Sequence, residues 1–146
     1  MNELERLEAM LRARPAFLSH EQRRAAYDAL GDLFPLAADV RVEPVEAHGV
    51  PAEWTSTPVA STNEVMFYLH GGGYAWGSLQ SHRHLASELG RAAGMKALAL
   101  DYRRAPEFPF PQALEDAVSG YRFLLDCGFD SRRITVAGDS AGAGLA

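Results

Sequence analysis

The sequence predicts an α/β fold built around a mostly parallel sheet. Three apolar runs of strand length lie at residues 65–69, 96–100 and 134–137, and segments with helical periodicity separate them. Strands that alternate with helices in this way are typical of right-handed crossovers between parallel strands. The run at 65–69 is apolar at every residue, which indicates a strand buried on both faces of the sheet, and the other two runs are also expected to be buried strands.

Two short amphipathic helices are predicted within residues 1–38. The first follows a capping box of Asn2 with Glu5, and Pro15 interrupts its pattern. The second follows a capping box at Ser19. Their apolar residues recur at helical spacing: Leu4, Leu7 and Leu11 in the first helix, and Ala26, Leu30, Leu33 and Phe34 in the second. These helices either pack on the body of the protein or form a mobile cap over a binding site.

Residues 39–146 make up the predicted core, which opens with two outer strands. Apolar and polar residues alternate over residues 40–45, and this pattern indicates an edge strand. Pro44 suits an edge, because proline cannot donate to a central ladder of hydrogen bonds. A weaker strand is predicted over residues 50–56, and a turn over residues 58–63.

Two helices are predicted between the three apolar strands. One covers residues 81–93 and ends at Gly94, and the other runs from Pro111 to Gly128. We expect both to bury their periodic apolar residues: Leu85, Leu89 and Ala92 in the first, and Leu114, Ala117, Val118, Tyr121 and Leu125 in the second.

Composition excludes several classes of function. The 146 residues carry 14 Lys+Arg against 19 Asp+Glu, a net charge of −5, and nucleic-acid binders usually carry a basic patch instead. No apolar run is long enough for a membrane span, and the acidic N-terminus is unlike a secretory signal, so we expect a cytoplasmic protein. The single cysteine, Cys127, cannot form an internal disulfide or a zinc site alone. We expect it to be buried at a helix end.

One motif after the strand at 134–137 carries chemistry. It fits G-x-S-x-G and reads Gly138-Asp139-Ser140-Ala141-Gly142. In this pattern the serine stands at the tip of a sharp turn from strand to helix, with its hydroxyl exposed. The helix N-terminus behind it favours developing negative charge. The alternative is an ordinary glycine-rich turn.

A second motif, His70-Gly71-Gly72-Gly73, follows the strand at 65–69. Three successive glycines cost backbone entropy. They allow backbone N–H groups to reach a substrate oxygen, which would stabilise the oxyanion of acyl transfer. A flexible turn or a phosphate-binding loop is the alternative, although the phosphate-loop patterns are absent. Parallel strands would bring both motifs to the carboxyl edge of the sheet, and together they predict a serine hydrolase.

Three segments resemble the bacterial hormone-sensitive-lipase-like esterases. They are His70–Ser78, Asp101–Pro111 and Gly138–Gly142, and the similarity runs from about residue 35 to Ala146. The resemblance implies an α/β-hydrolase fold, with residues 1–38 similar to the family's cap segment. It also implies short- to medium-chain acyl esters as small-molecule substrates, an acyl-enzyme intermediate, and no metal or cofactor.

The resemblance also assigns roles to particular residues. Ser140 would be the nucleophile, and the N–H groups of Gly72, Gly73 and Ala141 would form the oxyanion hole. His70 would shape its loop with Gly71 and would not act as a base. Independently of the resemblance, Asp139 would either tune the site electrostatically or be a structural carboxylate at the turn, and we expect the structural role.

One departure separates this sequence from the family. The family's triad follows the order Ser, Asp/Glu, His, yet only six small or apolar residues follow Ser140. All five histidines precede it, and we expect His82 and His84 to lie on an exposed turn. We therefore expect the N-terminal part of a larger domain, truncated after the turn at Ser140, with an open edge at strand 134–137 and little or no activity alone. A non-catalytic small-molecule-binding protein on the same scaffold and a non-functional product are the alternatives.

Two further pairs of residues carry open questions. Tyr74 and Trp76 would either line an acyl pocket or pack within their own loop. Asp101 and Arg103 are expected to form an ion pair that supports the sheet edge.

Overall fold

The computed structural model describes residues 2–13 and 19–146. Its helices are α1 (Glu3–Arg12), α2 (His20–Gly31), α3 (Leu79–Ala93), α4 (Gln112–Asp126) and α5 (Ala141–Leu145), with a short 3₁₀ turn at Ser131–Arg133. Its strands are β1 (Arg41–Ala47), β2 (Val50–Ser56), β3 (Ser61–Leu69), β4 (Met95–Leu100) and β5 (Ile134–Gly138). Pro15, which is predicted to interrupt the first helix, lies outside the described residues.

Both predicted capping boxes are present. The Glu5 amide donates to Asn2 Oδ1 at 2.8 Å, and the Asn2 amide donates to Glu5 Oε2 at 2.9 Å. Ser19 and Gln22 make the same reciprocal pair at the start of α2. The predicted apolar face of α2 is only partly covered, because the helix ends at Gly31 and leaves Leu33 and Phe34 beyond it, both exposed.

The five strands form one sheet in the order β1-β2-β4-β3-β5. Strands β3, β4 and β5 are parallel, which confirms the prediction from the three apolar runs. Strands β1 and β2 form an antiparallel hairpin whose second strand pairs with β4, so Pro44 lies on an edge as predicted. Strand β5 is the other edge, and Val136 there is 37% exposed.

The core lies around the two central strands. One side of the sheet packs β3 and β4 against α4, and its largest fully buried members are Val65, Phe67, Leu69, Leu98, Leu100, Tyr102 and Leu124. The other side packs Tyr68 and Ala99 against Ala86 of α3. The carboxyl end of β3 therefore rests on a well-packed centre, and β5 lies beside it.

The predicted buried face of α3 is wrong. The helix buries Ala86, Ser87 and Gly90, whereas Leu85 and Leu89 remain exposed. A Cβ added at Gly90 would lie 3.0 Å from the carbonyl oxygen of Met95. Helix α3 contacts the sheet through its smallest residues, which allows a close approach. Leu85 and Leu89 therefore lie on the side of the helix that faces away from the sheet.

The same correction applies to α4. Its buried residues are Asp116, Ala117, Gly120 and Leu124, and of the predicted face only Ala117 is fully buried. Gly120 sits directly on Phe67 and Leu100. The remaining predicted residues, Leu114, Val118, Tyr121 and Leu125, line an apolar groove beside β5. Cys127 follows the helix and is exposed, contrary to the prediction of a buried thiol.

Among the described helices, none combines the length and the apolar character that crossing a bilayer requires.

Candidate active site

Ser140 occupies the tip of a sharp turn between β5 and α5, which we call the elbow (residues 138–142). Its backbone angles are φ 49° and ψ −116°, and its side chain is exposed. A positive φ is uncommon for a residue with a Cβ, and the strain of such a conformation persists only where the surroundings enforce it. The turn raises the hydroxyl clear of the sheet at the N-terminus of α5.

The glycines on either side of Ser140 are required by close backbone packing. A Cβ at Gly142 would overlap the carbonyl oxygen of Leu69 on β3. A Cβ at Gly138 would lie 2.6 Å from that same oxygen. Real Cβ atoms do not approach backbone atoms this closely. The elbow can therefore lie this close to the end of β3 only because Gly138 and Gly142 have no side chains.

The second motif forms the start of a glycine loop (residues 70–77) at the end of β3. Gly72 has φ 120°, and its carbonyl accepts hydrogen bonds from the N–H groups of Ala75 at 3.1 Å and Trp76 at 2.8 Å. Within the described part of the chain, the N–H groups of Gly72 and Gly73 have no acceptor. The tight turn therefore leaves two backbone donors available beside the elbow.

Asp139 connects the two motifs. Its Oδ1 accepts hydrogen bonds from the Gly71 N–H at 2.8 Å and from the Tyr68 hydroxyl at 2.7 Å. Tyr68 is buried, and burial together with the adjacent carboxylate raises the pKa of its phenol well above the ordinary value. The phenol therefore stays protonated and donates to Asp139.

His70 lies beneath the glycine loop and is 2% exposed. Its ring stacks on Tyr102 with centroids 4.2 Å apart, and Nδ1 lies 2.8 Å from the Gly71 carbonyl oxygen. A carbonyl only accepts, so Nδ1 carries the proton. Burial lowers the pKa of His70 to about 4, so the ring is neutral near pH 7. These contacts suit a residue that shapes the loop.

His82 differs from the expectation of a surface side chain, whereas His84 is partly exposed. The His82 side chain is 13% exposed, with Nε2 3.6 Å from Asp139 Oδ1 and Nδ1 2.8 Å from Ser81 Oγ. His84 Nδ1 lies 3.1 Å from the Pro35 carbonyl oxygen. Across residues 2–13 and 19–146, no histidine nitrogen forms a hydrogen bond with the hydroxyl of Ser140.

An apolar pocket of about 460 Å³ opens beside the glycine loop. Its lining comprises Gly73, Tyr74, Ala105, Phe108, Phe110, Ala113, Leu114, Gly144 and Leu145. Tyr74 faces this pocket, whereas Trp76 packs against His20 and Tyr27 of α2. Such a pocket accommodates a small apolar group next to Gly73. In the described part of the chain, no cluster of three His, Cys, Asp or Glu side chains is arranged as metal ligands.

Comparison with known proteins agrees with this geometry. A family model described as "alpha/beta hydrolase fold" matches residues 66–146, which is more than half of the chain. The chain belongs to the α/β-hydrolase fold family. This match covers the second half of β3, the glycine loop and the elbow.

Individual relatives of this α/β-hydrolase family member are esterases. The chain is 54% identical over 130 residues to an acetyl-hydrolase of Streptomyces hygroscopicus, a match over 86% of this chain and 42% of that protein. It is 37% identical over 123 residues to an ethyl acetate hydrolase of Pseudomonas putida, over 82% of this chain and 37% of the relative.

A solved structure extends the likeness to the fold of nearly the whole chain. A crystal structure of an esterase from the bacterial hormone-sensitive lipase family matches with a TM-score of 0.91 and 46% identity. The match covers 98% of this chain and 49% of that one. The α/β-hydrolase described here thus spans less than half of the length of the curated relatives and about half of the solved structure.

The predicted ion pair between Asp101 and Arg103 is wrong. The Arg103 guanidinium binds Asp116 of α4, with Nη2 2.7 Å from Oδ1, and the Arg103 N–H donates to the same carboxylate. Asp101 instead lies 3.5 Å from Arg104 Nη2 and 4.0 Å from His70 Nε2. Burial raises the pKa of Asp101. Asp116 is brought to the sheet edge by the crossover, which sequence spacing does not reveal.

Two polar side chains of this α/β-hydrolase site, Tyr68 and Arg24, are not predicted by the sequence motifs. Tyr68 lies inside an apolar strand, and the sequence signal for it is its position two residues before His70. Arg24 lies in α2, and its guanidinium reaches the glycine loop and Glu107. No local spacing links Arg24 to residues so distant in sequence.

Proposed function

We propose that Ser140 is the nucleophile of a carboxylic ester hydrolase that acts on short- to medium-chain acyl esters. The observation that carries this proposal is the strained, exposed conformation of Ser140, on an elbow whose Asp139 binds Gly71 of the glycine loop. The next two N–H groups of that loop have no acceptor among the described residues. Backbone strain at an exposed serine is a cost that a merely structural turn does not require.

The reaction proceeds by acyl transfer through a covalent intermediate. The Ser140 hydroxyl oxygen attacks the ester carbonyl carbon and gives up its proton to a general base. The carbonyl oxygen becomes an oxyanion, which accepts hydrogen bonds from the N–H groups of Gly72, Gly73 and Ala141. Collapse of this tetrahedral species breaks the bond to the leaving oxygen, which takes the proton from the general base, departs as the alcohol and leaves an acyl ester on Ser140. A water molecule then gives one proton to the base and attacks the acyl carbon, and the bond to Ser140 breaks as the base returns the proton to the serine oxygen, which releases the acid.

The general base is proposed to lie outside the described residues. No described histidine contacts the Ser140 hydroxyl, and His82 and His70 have their ring nitrogens directed elsewhere. An unassisted serine is a weak nucleophile. Residues 1–146 alone are therefore expected to show little or no turnover. In this proposal residues 1–38 are a cap segment, and residues 39–146 are the first part of the hydrolase core.

The names of two relatives support small acyl groups. One is an acetyl-hydrolase and another an ethyl acetate hydrolase. The apolar pocket beside Gly73, with a volume of about 460 Å³, offers space for an acyl or alcohol group of modest length. Its apolar lining would stabilise that group by removing it from water.

The decisive experiment is an esterase assay with p-nitrophenyl acetate, butyrate and palmitate. The protein is the chain together with whatever its gene encodes after Ala146. Ser140→Ala is expected to lower kcat by at least about a thousandfold, because a triad enzyme without its nucleophile retains only binding and oxyanion stabilisation. Ser119→Ala, which removes an exposed helix hydroxyl, is the matched control. Unchanged turnover in Ser140→Ala would defeat the proposal, and a preference for palmitate would defeat the acyl-length part.

A second candidate, a non-catalytic small-molecule-binding protein, is favoured by the unassisted hydroxyl of Ser140. It predicts no turnover by the longer protein and saturable binding of the same esters in the apolar pocket. The assay above separates the two, because only the hydrolase loses an activity in Ser140→Ala.

A further inference from the structure

Arg24 of α2 makes four hydrogen bonds to two separate loops. Its Nε–H donates to the Ala75 carbonyl at 2.8 Å, and Nη2 donates to the Ala105 carbonyl at 2.9 Å. The two Nη groups also bind the two carboxylate oxygens of Glu107 at 2.9 and 2.7 Å. A planar guanidinium can bridge several acceptors in this way, whereas a lysine ammonium cannot reproduce the same fork.

The same helix covers Trp76, the residue after Ala75. The ring of His20 stacks on the indole with centroids 6.4 Å apart, and the Tyr27 ring lies 6.2 Å away. The guanidinium carbon of Arg23 lies 5.0 Å from the centre of the indole. Helix α2 is therefore seated on the second half of the glycine loop by both polar and aromatic contacts.

These anchors act on the turn that presents the glycine N–H groups. Ala75 and Trp76 both donate to the Gly72 carbonyl, so fixing these two residues fixes the turn. The Ala105 N–H donates to the Tyr74 carbonyl at 2.8 Å, so the loop that Arg24 binds also holds the glycine loop. The hydrogen bond from Arg24 lowers the pKa of Glu107 to about 2, which keeps the carboxylate charged throughout the neutral range.

We propose that Arg24 is a positioning residue, which holds α2 on the glycine loop and thereby keeps the Gly72 and Gly73 N–H groups aimed at the substrate oxygen. This inference rests on the proposed esterase function. It assigns α2 a part in setting the oxyanion hole, because the hydrogen bond to the Ala75 carbonyl comes from outside both motifs. The contacts of Arg24 with Glu107 and with the Ala105 carbonyl fix the orientation of the guanidinium, and thereby the geometry of its hydrogen bond to the Ala75 carbonyl.

The first test is kinetic. In the protein with whatever its gene encodes after Ala146, Arg24→Met is expected to lower kcat about 10- to 100-fold, as for a small misplacement of reacting groups. KM should change by less than about twofold, because donors aligned only in the transition state contribute to kcat. Arg24→Lys should be intermediate, since it keeps the charge beside Glu107 and loses the fork.

The control is Arg132→Met. Arg132 makes a similar paired contact with Asp130, but it precedes β5 and so lies toward the opposite end of the sheet from the elbow. The Arg132→Met variant should have the same kcat as the wild-type protein. An Arg24→Met enzyme with wild-type kcat, or one in which KM alone rises, would overturn the positioning role.

The second test does not depend on activity. Amide hydrogen exchange of the peptide covering residues 70–77 should become at least about tenfold faster in Arg24→Met, while the peptide covering residues 65–69 stays protected. Arg132→Met should change neither peptide. Absence of turnover in the wild-type protein would defeat the proposed function only, and the exchange of residues 70–77 would still decide whether Arg24 holds the loop. Unchanged exchange there would overturn the inference.

Discussion

The Oδ1 atom of Asp139 lies 2.8 Å from the amide nitrogen of Gly71 and accepts its hydrogen bond. This bond joins the elbow to the first glycine of the glycine loop. The same oxygen also accepts the hydroxyl of Tyr68, which is buried in β3. One carboxylate therefore connects the turn that carries the proposed nucleophile to the loop that carries the proposed oxyanion donors.

Removing this carboxylate should destabilise the fold. Asp139→Ala is expected to lower the free energy of unfolding by about 2 kcal/mol, because the Tyr68 hydroxyl and the Gly71 N–H both lose their acceptor. Asp139→Asn should cost less, since its carbonyl oxygen can still accept. Urea unfolding of Asp139→Ala, Tyr68→Phe and the double variant forms a cycle with an expected coupling of at least about 0.5 kcal/mol. Strict additivity of the two single changes would contradict this account.

The close contact at Gly142 should tolerate no side chain. Gly142→Ala is expected to lower stability by about 3 kcal/mol or more, because the new Cβ meets the Leu69 carbonyl, which is backbone and cannot move aside. Gly144→Ala is the matched comparison, since its Cβ meets only the end of the Tyr74 side chain. That variant should stay within about 1 kcal/mol of wild type. Equal thermal stabilities of the two variants would show that backbone contact at Gly142 is not limiting.

The buried ring of His70 should make stability depend on pH. Its pKa is about 4 in the folded protein, below the ordinary 6.5, because burial disfavours the charged ring. As the pH falls from 6.5 to 4, the unfolded chain takes up a proton that the folded chain does not. Stability is therefore fully present above pH 6.5 and decreases across this window by about 3 kcal/mol in total.

The measurement is urea unfolding at several pH values in this range. The side-chain amide of Asn in His70→Asn can still donate to the Gly71 carbonyl. In this variant, the part of the stability loss between pH 6.5 and 4 that comes from His70 should disappear. His84→Asn, on the partly exposed His84 of α3, should keep it. The slope is compared within each variant, so an overall loss of stability does not affect the test. A wild-type slope in His70→Asn would assign the effect to another group.

The strained backbone of Ser140 should oppose folding. Ser140→Gly is expected to raise the free energy of unfolding by about 1 kcal/mol, because glycine adopts a positive φ without steric cost. Ser140→Ala retains a Cβ and should leave stability nearly unchanged. Thermal unfolding of both variants beside wild type tests this difference. A less stable Ser140→Gly would show that the turn is not strained in the sense proposed.

Much of the architecture could be predicted from local patterns. The three apolar runs became β3, β4 and β5, and both capping boxes formed, because these signals depend on neighbouring residues along the chain. The buried faces of α3 and α4 could not be predicted from hydrophobic spacing alone. Leu85 and Leu114 stand at helical spacing, yet Gly90 and Gly120 decide which side of each helix approaches the sheet. Hydrophobic spacing identifies apolar residues regardless of their size. A helix that lies close to a sheet can place only its smaller residues at the contact.

The candidate site divides in the same way. The sequence by itself determined the strand–turn–helix context of Ser140, the glycines that follow His70 and the family to which they point, because each is written in consecutive residues. Only the tertiary structure decided that Asp139 binds Gly71, that Arg103 pairs with Asp116 and that Arg24 reaches the glycine loop. These contacts join residues that are 13 to 68 positions apart in sequence. They exist because the fold brings the loops after β3, β4 and β5 to one edge of the sheet and lays α2 against the glycine loop.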